Sequence, residues 1–125
     1  MPAAFAHDLF GRRVYLEVSP KIKRIIRKER YCYLLGVHGP DLLFFYRALG
    51  KNRVNQKGVK MHREPAARLF ETGRQEILKT WDRKERDALV AFVLGSTCHY
   101  ALDHSLQGYI NRKEKETGIT HGEIE

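Results

Sequence analysis

Apolar positions recur every three and four residues along most of the chain, the spacing of one helix face rather than the alternation of a half-buried strand. Only Val14-Tyr15-Leu16-Glu17-Val18 alternates, and weakly. Ser19-Pro20 reads as a helix start, a serine cap followed by proline at the first helical position, with Ile22, Ile25 and Ile26 on one face. That helix is expected to give out before Gly36, and Gly39-Pro40 marks a sharp break. Asp41 to Tyr46 is strongly apolar and reads as a short buried helix. Residues 50–60 carry Gly50, Asn52, Asn55 and Gly58 among basic residues and read as an exposed loop.

Glu64-Pro65 opens a further helix whose apolar stripe is Ala66, Phe70, Ile77, Leu78 and Trp81. A longer helix is expected from about Asp82 to Leu106. Its stretch 89–94 is apolar nearly all round, which predicts a central, buried position. The charged stretch 111–119 follows. Thr120-His121-Gly122-Glu123 then matches a capping box, so another helix is expected from Thr120. The fold class predicted is all-α, a helical bundle around a long central helix. Residues 1–125 read as the N-terminal, metal-binding part of a longer domain.

Length and composition narrow this picture. The 125 residues fit one domain, and 42% hydrophobic with 30% charged residues is a globular balance. No apolar run reaches the 18 or so residues of a membrane span, and Asp8 interrupts any signal-peptide core. Cys32 and Cys98 form no CxxC pair and read as reduced thiols, Cys98 as a small buried hydrophobe. A cytoplasmic location is expected. Lys and Arg number 23 against 15 acids, a net charge of +8. The excess concentrates in residues 12–30, where Arg12, Arg13, Lys21, Lys23, Arg24, Arg27, Lys28 and Arg30 face only Glu17 and Glu29. Such a patch is either a solvated helix face or a contact for anionic surfaces and phosphates.

The candidate chemistry lies in the histidines. His99 and Asp103 are four apart on the long helix, so imidazole and carboxylate project to one point, as two metal ligands from one helix must. Gly95, one turn earlier, would leave room beside them, and Gln107 follows one turn later. His121 and Glu125 repeat the spacing. An ordinary hydrogen-bonded pair explains either pair alone. Two pairs, with Asp41 just past the Gly-Pro break and His62 just before a helix, favour a metal site. His38 reads as a supporting or surface residue, or as a contact for substrate phosphate. Phe44-Phe45-Tyr46 reads as core rather than a base-stacking platform.

Four stretches carry a resemblance: Gly39-Pro40-Asp41 followed by Phe44-Phe45-Tyr46; Met61-His62-Arg63-Glu64; Cys98-His99-Tyr100-Ala101-Leu102-Asp103; and Thr117-Gly118-Ile119-Thr120-His121. In their order and residue types the chain resembles the zinc-dependent phospholipase C family, whose fold is shared with a group of zinc-dependent nucleases. The resemblance covers essentially the whole chain. It implies zinc as cofactor, two or three ions, held by His7, Asp41, His62, His99 and Asp103 and then by His121 and Glu125. It implies that His62, His99, Asp103 and Asp41 hold a central ion and that Asp103 bridges to a second. Asp41 is either a ligand or the catalytic general base.

Two departures stand out. A further family histidine falls on Gln107, and an amide is a poor zinc ligand. His104 is one residue from Asp103 and so projects about 100° away on an ideal helix. Secreted members also use the amino group of an N-terminal tryptophan, whereas the only tryptophan here is Trp81. The function implied is a metal-dependent hydrolase of phosphoester bonds, acting on phospholipid or nucleic acid. Gln107 and the missing tryptophan would suit a degenerate, non-catalytic metal-binding protein of the same fold. A basic α-helical nucleic-acid-binding module would need a recognition helix, and no helix-turn-helix spacing is visible.

Overall fold

The computed structural model describes residues 4–119, and every regular element within them is helical. The α-helices are α1 (Ala4–Glu17), α2 (Pro20–Lys28), α3 (Arg30–His38), α4 (Arg53–Arg63), α5 (Ala66–Lys79) and α6 (Arg83–Thr117). A 3₁₀ helix, Gly39–Phe45, joins α3 to α4. Local signals set several ends. The Ser19 hydroxyl accepts from the Ile22 N–H at 3.4 Å with Pro20 in first position, and the Asp82 carboxylate accepts from the Glu85 N–H at 2.9 Å. Gly118, at φ 67°, ends α6 in the left-handed conformation. No helix among the described residues is long and apolar enough to cross a membrane.

Helix α6 is the axis. α1, α2, α3, α5 and the 3₁₀ helix all pack on it, α3 most extensively. The closeness of α3 and α6 comes from two facing glycines. A Cβ on Gly36 would overlap the Phe92 carbonyl oxygen, and one on Gly95 would overlap that of Tyr33. Around this crossing Ile26, Tyr33, Val37, Ala91 and Cys98 form the buried core, with Phe10, Val14, Ile22 and Leu94 packed against it. The Tyr33 hydroxyl donates to the Gly11 carbonyl at 2.7 Å and ties α1 to α3. It also lies 3.5 Å from the Cys98 sulfur, and burial pushes the titration of both groups up.

Several sequence expectations need correction. The weakly alternating 14–18 stretch is helical through Glu17, because Phe10 and Val14, four apart, turn one helix face to the core. The helix expected from Ser19 breaks at Glu29 and then continues through Gly36 to His38, since Gly36 serves close packing and not termination. Gly95 likewise packs on α3 and makes no space beside His99 and Asp103. Asp41 to Tyr46 is not a buried helix. The 3₁₀ helix buries Pro40 and Asp41, whereas Leu42, Phe45 and Tyr46 are exposed. Most of the expected loop at 50–60 belongs to helix α4, capped by Asn52, whose side chain accepts from the Val54 and Asn55 N–H groups.

The stripe on α5 is only half covered, with Leu78 exposed and Trp81, beyond the helix, 95% exposed. α6 runs to Thr117, past the expected Leu106. Within 89–94 only Ala91 is buried and Phe92 is exposed, because α3 and α5 cover part of the helix and not its whole circumference. The helix expected from Thr120 lies outside the described residues.

Candidate metal centre

Four elements deliver the site. α6 presents His99 and Asp103 one turn apart. α3 ends at His38, and Gly39 takes φ 51°, a conformation costly for any residue with a Cβ. A Cβ there would also sit 3.0 Å from Cγ of His99. The turn swings Pro40 and Asp41 back against α6. α4 supplies His62 from its last turn, and α1 supplies His7. Asn55 pins α4 to the 3₁₀ helix by donating to the Leu43 carbonyl at 2.7 Å and the Tyr46 carbonyl at 3.1 Å.

The five side chains meet. His62 Nε2 lies 2.8 Å from Asp41 Oδ1 and 4.0 Å from Asp103 Oδ2. His99 Nε2 lies 3.8 Å from the same Asp41 oxygen and 3.2 Å from the same Asp103 oxygen. A tetrahedral ion with bonds of about 2.0–2.1 Å needs donors about 3.3 Å apart, and these four atoms span that value. His7 Nε2 faces the other oxygen of each carboxylate, 3.6 Å from Asp41 Oδ2 and 3.2 Å from Asp103 Oδ1. Each aspartate therefore turns one oxygen to His62 and His99 and the other to His7, the posture of a bridging ligand. Two triads, His7–Asp41–His99 and His62–His99–Asp103, each place their ligand atoms within 4.8 Å of one another.

Proton placement makes the cluster unusual. Nδ1 of His62 is 2.7 Å from the Gly58 carbonyl, and Nδ1 of His99 is 3.1 Å from the Val37 carbonyl. A carbonyl only accepts, so both Nδ1 atoms carry hydrogen, which leaves Nε2 of each ring as the atom that faces the carboxylates. Ligating imidazoles are oriented in this way. His7 and His99, 1% and 0% exposed, stack at 4.2 Å with their planes 15° apart. Both nitrogens of His7, Nε2 of His99 and Oδ1 of Asp103 have no hydrogen-bond partner among the described residues. Buried polar atoms without partners cost about 1–3 kcal/mol each. A cation at their meeting point satisfies lone pairs of nitrogen and oxygen together, so the donor set fits a metal ion.

The electrostatics agree. The Asp41 hydrogen bond raises the His62 pKa against the opposing effect of burial, with the Gly58 carbonyl and the Asp103 charge adding to the rise. Burial by itself would raise the Asp103 carboxyl, but His7 and His99 beside it hold it well below the usual carboxylate range.

The cluster opens on one side into a cleft of ≈ 610 Å³, lined by Phe44, His62, Arg63, Tyr100, Asp103 and Gln107 among others. The Phe44 ring stacks on His62 at 5.4 Å, so of the three-residue aromatic run only Phe44 supports the site. Gln107 is exposed and donates to Asn111 Oδ1 at 2.9 Å. His104, expected to project away, also lines this cleft. His38 is half-buried and outside the cluster. His121 and Glu125 lie outside the described residues. The residues that sequence reasoning missed are the supports Gly58 and Val37, which act through carbonyl oxygens and so carry no side-chain signal. The spacing of Gly58 four residues before His62 is the one hint.

No protein-family model matches the chain, nor does any curated protein or solved structure.

Proposed function

We propose that this chain is a metal-dependent hydrolase of phosphoester bonds, similar in its centre to zinc-dependent phospholipases C. The observation that supports this most is the convergence of His62, His99, Asp41 and Asp103, with His7 behind them, on one point at the floor of an open cleft. Zinc suits a donor set of imidazoles and carboxylates in a four-donor arrangement. When bound there, such an ion lowers the pKa of a coordinated water and polarises a phosphoryl group.

The chain's own residues do the rest. Asp41, 5% exposed, has both oxygens turned to imidazoles, which supports a role as ligand over one as general base. Asp103 faces the cleft as well as the histidines and would hold the ion from the substrate side. Burial, then the charges of Asp103, Glu64 and Asp41, push the Tyr100 phenol up, so it keeps its proton and can donate to a phosphate oxygen. Arg63 lines the same cleft and supplies positive charge toward an anionic substrate.

Zinc analysis of purified protein, run beside hydrolysis of bis(p-nitrophenyl) phosphate, tests the proposal. The wild type is expected to retain zinc and hydrolyse the ester, and Asp103→Asn to lose both. Wild-type protein that holds zinc but hydrolyses nothing would instead support the non-catalytic reading, which the exposed amide of Gln107 favours. In that case Gln107→His should add zinc.

A further inference from the structure

A second cleft, of ≈ 480 Å³, lies at the junction of α1, α2 and α3 and shares no lining residue with the metal centre. Arg12 comes from α1, Arg27 from the last turn of α2, and Arg30 from the first turn of α3. Arg27 and Arg30, three residues apart on either side of the helix break at Glu29, line the same space. Among the described residues no carboxylate lines the cleft. Asp8 binds only Nε of Arg12, at 2.7 Å, and leaves the two terminal nitrogens of that guanidinium unengaged by it.

The walls are aromatic and apolar. Tyr15, Tyr31, Ile26 and the Tyr33 ring contribute. Tyr33 is fixed by its bond to the Gly11 carbonyl. The Arg30 guanidinium lies 4.8 Å from the Tyr31 ring centre and donates to its hydroxyl at 2.9 Å, on a wall that stays open to solvent with Tyr31 68% exposed. A solvated basic face explains scattered lysines. It does not explain three guanidinium groups and a stacked tyrosine around one concavity with an apolar floor.

We propose that this cleft binds a phosphomonoester whose phosphate is attached to a flat or apolar body. Arginine forks match phosphate oxygens two at a time, and three of them suit a dianion. The tyrosine and isoleucine surfaces take the attached group. That group could belong to a nucleotide or to the glycerol end of phosphatidic acid, and both present the same terminal phosphate.

The test uses the full chain in EDTA, so that binding at the metal centre does not contribute. Adenosine 5′-monophosphate, adenosine and inorganic phosphate are titrated calorimetrically. Vesicles of phosphatidylcholine with and without phosphatidic acid are assayed by co-sedimentation. The expected result is saturable binding of either the nucleotide or the phosphatidic acid vesicles, and the responding arm names the source. The Arg27→Gln/Arg30→Gln double variant should weaken that binding at least tenfold. The Lys84→Gln/Arg86→Gln variant, equal in charge loss and placed on the exposed first turn of α6, should change it less than twofold. Equal losses in the two variants would overturn the proposal, because net charge alone would then account for binding. So would the absence of saturable binding in every arm below 1 mM ligand.

Discussion

Replacing Gly95 with alanine should lower stability and weaken the metal centre together. The added Cβ overlaps the Tyr33 carbonyl oxygen and approaches the Val37 nitrogen at 2.8 Å and the Gly36 Cα at 3.0 Å. All three are backbone atoms, so no side chain can move aside and α3 must shift as a body. Overpacking of this kind costs about 1–3 kcal/mol, and contact with backbone places it at the upper end. At roughly 3–5 °C per kcal/mol for a chain of this size, the melting temperature should fall by about 10 °C. The shift also draws the Val37 carbonyl away from Nδ1 of His99, which now stands at 3.1 Å. Loss of such an orienting bond lowers metal affinity by about 10–100-fold. Gly108→Ala is the internal control. It lies on the same helix with nothing within 4 Å of its added Cβ. Alanine there should stabilise by about 0.5–1 kcal/mol through helix propensity alone. Thermal melts by circular dichroism on metal-free protein, followed by zinc titration, measure both effects. Gly95→Ala melting within 2 °C of wild type, or falling no further than Gly108→Ala, would refute the close-packing argument.

The thiols should differ in reactivity. Cys32 is half-buried and Cys98 is buried with its thiol pushed up by desolvation, so brief iodoacetamide treatment of native protein should label Cys32 and leave Cys98 unmodified by mass spectrometry. Metal-free protein should also show a pH-dependent melting temperature. His62 titrates higher folded than its ordinary 6.5, so its contribution is full below pH 6.5 and is lost as pH rises through the raised value. Asp103 titrates lower folded than its ordinary 3.8, so its contribution is full above that value and is lost on acidification below it. Stability should therefore peak between about pH 4 and 6.5, and His62→Gln should flatten the alkaline decline. A melting temperature that climbs from pH 6 to 8 would contradict the assignment.

What could be read from the sequence divides along physical lines. Ser19-Pro20 and Asp82 mark helix starts because capping is local chemistry, and the all-α class followed from such signals and from the apolar spacing, whereas the end of α6 at Gly118 was missed. The pair His99 and Asp103 was legible because a helix converts a spacing of four into a shared face. Gly36 was misread because one residue type serves both termination and close packing, and only the presence of Gly95 across the crossing decides between them. Helix α4 was read as loop because Asn52 and Asn55 are poor helix formers. Their amides earn that position through bonds to the Leu43 and Tyr46 carbonyls, contacts that depend on the tertiary fold. The apolar run after Asp41 was read as buried because hydrophobicity reports a preference, and here no element covers Phe45 or Tyr46. The place of His7 had no local signal at all. It came from family resemblance, and the structure puts its ring against His99.

Nε2 of His62, Nε2 of His99 and oxygens of Asp41 and Asp103 are proposed to hold one ion. Zinc K-edge X-ray absorption on protein loaded with one equivalent of zinc and then desalted tests this most directly. The expected result is retained zinc with two imidazole scattering groups and carboxylate oxygens, in a first shell at about 2.0–2.1 Å and without sulfur. Zinc lost on desalting, a shell of oxygen alone with no imidazole signature, or a sulfur ligand near 2.3 Å would contradict it.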